Sequence, residues 1–279
     1  MRKNRIFNRL DHAFQLIITA ALVYLVLAKA AVLYQNTFDS PDGTGEASLL
    51  WQVNASKDEG GLIETVEYRE DGITASYPKV LSGGSEESVN RWNQIIKQDF
   101  DKILQIYSFQ PFPGPTPLPT GTVPRILNIS YELMENSSDL LSILYRADFN
   151  SSYSAHPSNL VYTTNIDKRK DQRLRLGDVV RLDHAFVREF RTWKISSAAE
   201  NTKEIDQAIY DYIGNITDEE LLQGFRLADV IGSGNPWGIF SYQRDGVLGI
   251  SIGVPNYAGD HAEFEKPLSQ LKDFLHTKA

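Results

Sequence analysis

The feature that most constrains this chain is a series of alternating runs between Leu127 and Leu176. In Leu127-Asn128-Ile129-Ser130-Tyr131-Glu132-Leu133, apolar and polar side chains take turns, and Leu141-Ser142-Ile143-Leu144-Tyr145 nearly repeats the pattern. A period of two marks a strand with one face buried. The intervening Glu135-Asn136-Ser137-Ser138-Asp139 is turn chemistry, so the pair predicts a hairpin. After the irregular Tyr153-Ser154-Ala155-His156-Pro157 comes Leu160-Val161-Tyr162-Thr163-Thr164-Asn165-Ile166, rich in β-branched and aromatic residues. Asp167-Lys168-Arg169-Lys170-Asp171 then turns the chain into Arg173-Leu174-Arg175-Leu176. The expectation is four consecutive strands, most simply antiparallel.

The flanks add helices to this sheet. Leu62 to Tyr68 and Ile73 to Pro78 read as strands turned by Asp71-Gly72. Ser85 is placed to cap a helix whose Val89, Trp92, Ile96, Phe100, Ile103 and Tyr107 recur at three- and four-residue steps. Six of the twelve prolines fall between Pro111 and Pro124, a run that suits an extended connector. Beyond Val180 the pattern is helical, with Phe186, Phe190 and Trp193 on one face and Ile205, Ile209 and Tyr212 on another. Thr217 and Glu220 form a capping box ahead of Leu221 and Leu222. A hairpin from Trp237 to Val254, turned at Asp245-Gly246, is expected to return to the sheet. A final element opened by Pro267 carries Leu268, Leu271, Phe274 and Leu275 on one side. The fold class read from this order is α+β: an antiparallel sheet packed by several helices, with an N-terminal transmembrane helix.

That last helix rests on the first 34 residues. Arg2, Lys3, Arg5 and Arg9 precede the apolar run Leu16 to Ala28, and acids dominate residues 35 to 64. Basic residues before an apolar segment and acids after it put the N-terminus in the cytoplasm and the remainder outside. The expected organisation is a cytoplasmic tail at 1–12, a transmembrane signal anchor at 13–34 and a stalk at 35–60. The N-terminal part of an extracytoplasmic domain follows at 61–110, then the proline-rich connector at 111–124 and a C-terminal part at 125–279. A signal peptide cleaved after Ala30 is the alternative, since Ala28-Lys29-Ala30 has the small-x-small form. The expected location is therefore the cell membrane, single-pass with the C-terminal domain outside, or secretion after cleavage.

Composition removes whole classes of function. A formal net charge of −8 argues against a nucleic-acid partner, which requires a concentrated basic surface. With no cysteine, thiolate nucleophiles, thiolate zinc sites and disulfides are impossible. The five histidines form no pair with metal-ligand spacing, so neither a metal nor any other cofactor is implied. Gly249-Ile250-Ser251-Ile252-Gly253 matches a hydrolase nucleophile-elbow pattern, but it lies inside an alternating strand rather than a strand-to-helix turn. No catalytic residue is assigned; a hydrolase using Ser251 or His156, and an inert structural module, are the rival readings. Ligand contact is expected instead at polar and aromatic positions on loops and strand ends: Tyr153, His156, Tyr162, Tyr257, Asp260 and His261. Lys168, Arg169 and Lys170 concentrate positive charge on one turn and are expected to meet an anionic surface.

Several segments together resemble the extracytoplasmic domain shared by RsiV-type anti-sigma factors and the N-terminal region of PdaC-type peptidoglycan deacetylases. They are Ile73 to Pro78 ahead of the first helix, and Leu141-Ser142-Ile143 leading to Ala155-His156-Pro157. Asn165-Ile166-Asp167 through Leu174-Arg175-Leu176-Gly177-Asp178 follows, and then Gly246 to Ile250 through Asn256-Tyr257-Ala258-Gly259. The resemblance spans roughly Ile73 to Leu275. It implies an α+β domain outside the membrane that binds a protein ligand in RsiV-type members and is non-catalytic in PdaC-type members. Ser152-Tyr153-Ser154 stands where the family often has glycines before its His segment. Residues 1–12 are too few for a sigma-binding domain and no deacetylase follows Ala279, so the expectation is the shared module on an anchor. Its expected partners are the membrane, through the N-terminal helix, and an envelope protein or peptidoglycan.

Overall fold

Strand β4 (Leu140–Ser151) is buried along most of its length, and the fold is arranged on its two faces. It pairs antiparallel with β3 (Arg125–Asn136) on one side and β5 (Ser158–Asp167) on the other. The turn at Ser137 is closed by hydrogen bonds to Leu140, as the Asn-Ser-Ser-Asp chemistry predicts. The computed structural model describes residues 60–70, 72–108, 125–151, 156–196 and 201–276. The expected tail, anchor, connector and Tyr153 lie outside the described residues, as does the stalk apart from Gly60. Among the described residues no helix is long and apolar enough to cross a membrane.

The first sheet has six strands in chain order. The hairpin β1 (Ile63–Glu70) and β2 (Ile73–Val80) joins β3 through a short parallel stretch, Ile73 to Ala75 against Leu127 to Ile129. This is the one departure from an antiparallel ladder. The other end is closed by β6 (Gln172–Arg173), which pairs only with Ile166 and Asp167 and is shorter than its four-residue alternation suggests. Leu176 instead opens the short helix α2 (Leu176–Val179).

Helix α1 (Glu86–Ser108) covers the outer face of this sheet. Ser85 caps it by accepting the Ser88 amide, and Trp92, Ile96, Phe100, Ile103 and Tyr107 are buried against Ile143, Tyr145, Ala147 and Phe149. Arg173 reaches back from β6 to hold Asp99 of the helix at 2.7 Å, and Thr164 donates to the same carboxylate at 3.0 Å.

The hairpin after Trp237 does not return to this sheet. It builds a second sheet of four strands, in the order β7 (Lys194–Ile195), β10 (His261–Pro267), β9 (Val247–Gly253) and β8 (Phe240–Arg244). The physical reason is that the hairpin has its own apolar face to bury. Leu248, Ile250 and Ile252 pack against α3 (His184–Phe190), α4 (Lys203–Gly214) and α5 (Asp218–Arg226). The Thr217 and Glu220 capping box is formed as expected. The element after Pro267 is only a 3-10 turn over Leu268–Gln270. The chain then makes a hydrogen-bonded turn through Phe274 and bridges the end of α2 at Val180 and Leu275, with the Arg181 amide donating to the Phe274 carbonyl and the His276 amide to that of Val179.

Candidate functional site

The inner faces of the two sheets meet along a polar seam. Strand β9 presents Gly249, Ser251 and Gly253 to it, all small, flanked in register by Phe240 and Tyr242 of β8 and by His261, Glu263 and Glu265 of β10. A Cβ at Gly249 would collide with the Tyr242 ring, so glycine is what lets that ring lie across the strand. The Tyr242 hydroxyl reaches Glu263 at 3.0 Å and Glu265 at 2.9 Å, sharing its one proton between two carboxylates. Burial and those neighbouring charges push the phenol well above its ordinary range. From the first sheet, Arg146 pairs with Glu263 at 2.8 Å and approaches His261 Nε2 at 3.3 Å. Burial works to raise the Glu263 carboxyl, but His261 and Arg146 outweigh it and hold the group down at about 2.

A second polar centre ties the sheets to the helices. Asp229, partly buried at a positive φ of 62°, accepts from the Ser241 amide at 2.6 Å and hydroxyl at 2.7 Å. It also accepts from the Leu176 amide at 2.7 Å and Thr163 Oγ1 at 3.2 Å. One side chain thus joins β5, β8 and the start of α2. Burial pushes its carboxyl up to about 6 against the pull of these donors.

Where the seam opens, it forms a groove of about 630 Å³ whose walls include Tyr162, Trp237, Phe240, Ser251, Asp260 and His261. That volume falls within the range of small-ligand and peptide sites, roughly 300–1,000 Å³. Three residues singled out from the sequence, Tyr162, Asp260 and His261, converge here. Asp260 ends the connection between β9 and β10, and His261 opens β10. There Asp260 Oδ2 accepts the Asn159 amide at 2.9 Å, and His261 Nδ1 donates to the Asn159 carbonyl at 3.1 Å. His156 and Tyr257 are not among the groove walls. His156 is exposed with Nδ1 3.0 Å from the Pro157 carbonyl, and Tyr257 is 72% exposed.

The basic turn is corrected at one position. Lys168 does not face solvent: it is buried, donating to Gly60 O at 2.8 Å, Asn136 Oδ1 at 2.7 Å and Ser137 O at 2.9 Å, with its ammonium over the Trp92 ring. A charge so fully engaged holds the fold and is not available to an external anion. Arg169 and Lys170 are exposed but lie 3.9 Å and 3.6 Å from Asp167, which offsets much of their field. Ser251 sits mid-strand and 1% exposed, without the sharp turn into a helix that an elbow needs. Among the described residues no group of three His, Asp or Glu side chains is arranged to hold a metal ion.

Sequence reasoning missed Trp237, Phe240, Asp229 and the Arg146–Glu263 pair. The one available signal was the alternation His261-Ala262-Glu263-Phe264-Glu265, which marks β10 and places its charges on one face.

No family model and no curated protein matches the chain. Among solved structures, a member of the DUF3298 family from Bacteroides fragilis is similar at TM-score 0.48 and 12% identity, covering 77% of this chain and 94% of that one. A DUF3298 family protein from Pseudomonas aeruginosa is similar at TM-score 0.44 and 13% identity, covering 78% and 96%. That family is a domain of unknown function, and likeness at this level assigns no activity.

Proposed function

We propose that this chain is a membrane-anchored, extracytoplasmic binding domain of the cell envelope that recognises an envelope protein or cell-wall glycan through the groove between its sheets. The observation that carries the reading is the convergence of Tyr162, Asp260 and His261 with Trp237 and Phe240 around one open volume of about 630 Å³. Aromatic walls with a few fixed polar groups suit recognition. Placement outside the membrane is supported by the basic flank and apolar run of residues 1 to 28. Binding is favoured over hydrolysis by the setting of Ser251, which borders the groove but sits in mid-strand and almost wholly buried, without the sharp strand-to-helix turn that makes a serine stand proud as a nucleophile. The test is capture by the immobilised full chain of envelope extract and of purified peptidoglycan. Saturable capture that is weakened by Trp237→Ala and His261→Ala but not by His156→Ala is expected. Capture indifferent to the groove variants would move the site elsewhere, and turnover of a peptidoglycan or ester substrate lost in Ser251→Ala would restore the hydrolase reading.

A further inference from the structure

The sheets run out of strand partners along the seam, and side chains fill most of the gaps. On β8, the Ser241 amide donates to Asp229 at 2.6 Å, its carbonyl accepts from Asn165 Nδ2 at 2.8 Å, and the Gln243 amide donates to Ser142 Oγ at 3.1 Å. On β5, Asp260 and His261 serve Asn159, and at the other end the Asn165 carbonyl accepts the Leu174 amide at 2.9 Å. Between those two points lie Val161 and Thr163.

Their backbone direction follows from the ladder. In the antiparallel register with β4, Asn159, Val161, Thr163 and Asn165 face Asp148, Arg146, Leu144 and Ser142 at every second position. Every second residue of a strand directs its N–H and C=O to the same side. Since Asn159 and Asn165 direct theirs away from β4, Val161 and Thr163 do too. Among the described residues the only strands beside β5 are β4 and β6, and β6 reaches only Ile166 and Asp167. Val161 therefore presents a donor and an acceptor outward where no strand stands opposite, and it does so at 3% exposure in the wall of the groove. Buried backbone groups demand partners.

We propose that the groove takes an extended peptide segment, which adds as a strand to β5 across Val161 and Thr163. This rests on the binding reading above and names its ligand class. The added strand continues, on the same edge, the pairing that β6 already makes at Ile166 and Asp167. Asp260 and His261 close the far end by occupying Asn159, so the paired stretch is short, about 10 Å at ~3.3 Å per residue. Opposite the edge, Gly232, Gly234 and Gly238 carry no side chain and have open space beside them, leaving room for a second backbone. Tyr162, Trp237 and Phe240 supply apolar contact for one peptide side chain. A glycan would find the ring faces but would not match a donor and acceptor repeated every second residue.

The experiment pans a display library of octapeptides, randomised at every position, against the full chain. The best binder is then remade with N-methyl groups on one or the other alternate set of residues, and purified peptidoglycan is run alongside. The expected result is that methylating one set weakens binding about tenfold or more, as loss of edge hydrogen bonds requires, while methylating the other leaves it unchanged. Val161→Pro, which deletes an outward N–H and no β4 ladder bond, should produce the same loss with the urea midpoint as a check on folding. Ser233→Trp, which fills the groove, is the second variant if that one does not fold. Equal binding of both methylated forms overturns strand addition. Saturable peptidoglycan binding with no enriched peptide overturns it too but keeps the binding reading, and binding of neither removes both.

Discussion

On the outer side of the six-stranded sheet, Ile143, Tyr145 and Ala147 of β4 meet Ile96, Phe100 and Ile103 of α1; on the inner side the same strand presents Ser142, Leu144 and Arg146. The second sheet repeats the contrast, with Leu248, Ile250 and Ile252 outward against helices and Gly249, Ser251 and Gly253 toward the seam. The outer layers are apolar and tolerant of direction. The seam is polar and directional, because a hydrogen bond fails when its geometry slips while a hydrophobic contact does not. The difference teaches that the layers make the domain stable, whereas the seam fixes how the sheets face each other and leaves the groove open.

The comparison breaks if the seam carries no weight. Asp229→Ala strands the amides of Ser241 and Leu176 and two hydroxyls, and should lower stability by roughly 3–5 kcal/mol in urea unfolding, as much as the roughly 2–5 kcal/mol expected for Ile250→Ala in the apolar layer. A loss below about 1 kcal/mol would show that the seam is incidental.

Two carboxyls sharpen it through pH, with opposite signs. Glu263 has a folded pKa of about 2, below its unfolded value of about 4.3, so its contribution is present above pH ~4.3 and is lost as pH falls toward 2. Glu263→Gln should remove up to about 3 kcal/mol of acid dependence. Asp229 is raised to about 6, above its unfolded value of about 3.9. Its contribution is therefore present below pH ~4 and lost as pH rises through 6, on the order of 2–3 kcal/mol. Asp229→Ala should lack that slope, and a wild-type stability curve rising between pH 4 and 6 relative to the variant would contradict the assignment. Smallest of all is the surface. Arg169→Ala should stay within about 0.5 kcal/mol, as exposed ion pairs do, while Lys168→Ala on the same turn should cost about 2 kcal/mol or more.

Much of the outer architecture was legible because its signals are local. The alternation of β3, the β-branched and aromatic run of β5, the apolar stripe of α1 and the Thr217–Glu220 box each lie within one continuous element, and each was formed as the pattern predicts. The seam was not, because its members meet from distant positions: Arg146 with Glu263, Asp229 with Leu176 and Thr163, Lys168 with Gly60. Strand β10 was not among the expected elements, because its charged face turns toward a partner sheet rather than a core. The second sheet was hidden for a related reason: nothing in an alternating hairpin states which sheet it will join. Of the residues singled out for ligand contact, Tyr162 in the middle of β5 and Asp260 and His261 where β10 begins border one groove, whereas Lys168 is buried in the fold.

The most direct test of the central claim is site-specific photo-crosslinking with p-benzoylphenylalanine in the full chain, placed in turn at positions 237, 156 and 169, against envelope extract and peptidoglycan fragments. A discrete, saturable crosslink at position 237 with none at 156 or 169 is the predicted result. A crosslink at 169 or 156 without one at 237 would contradict it, and would place recognition on the outer surface rather than in the seam.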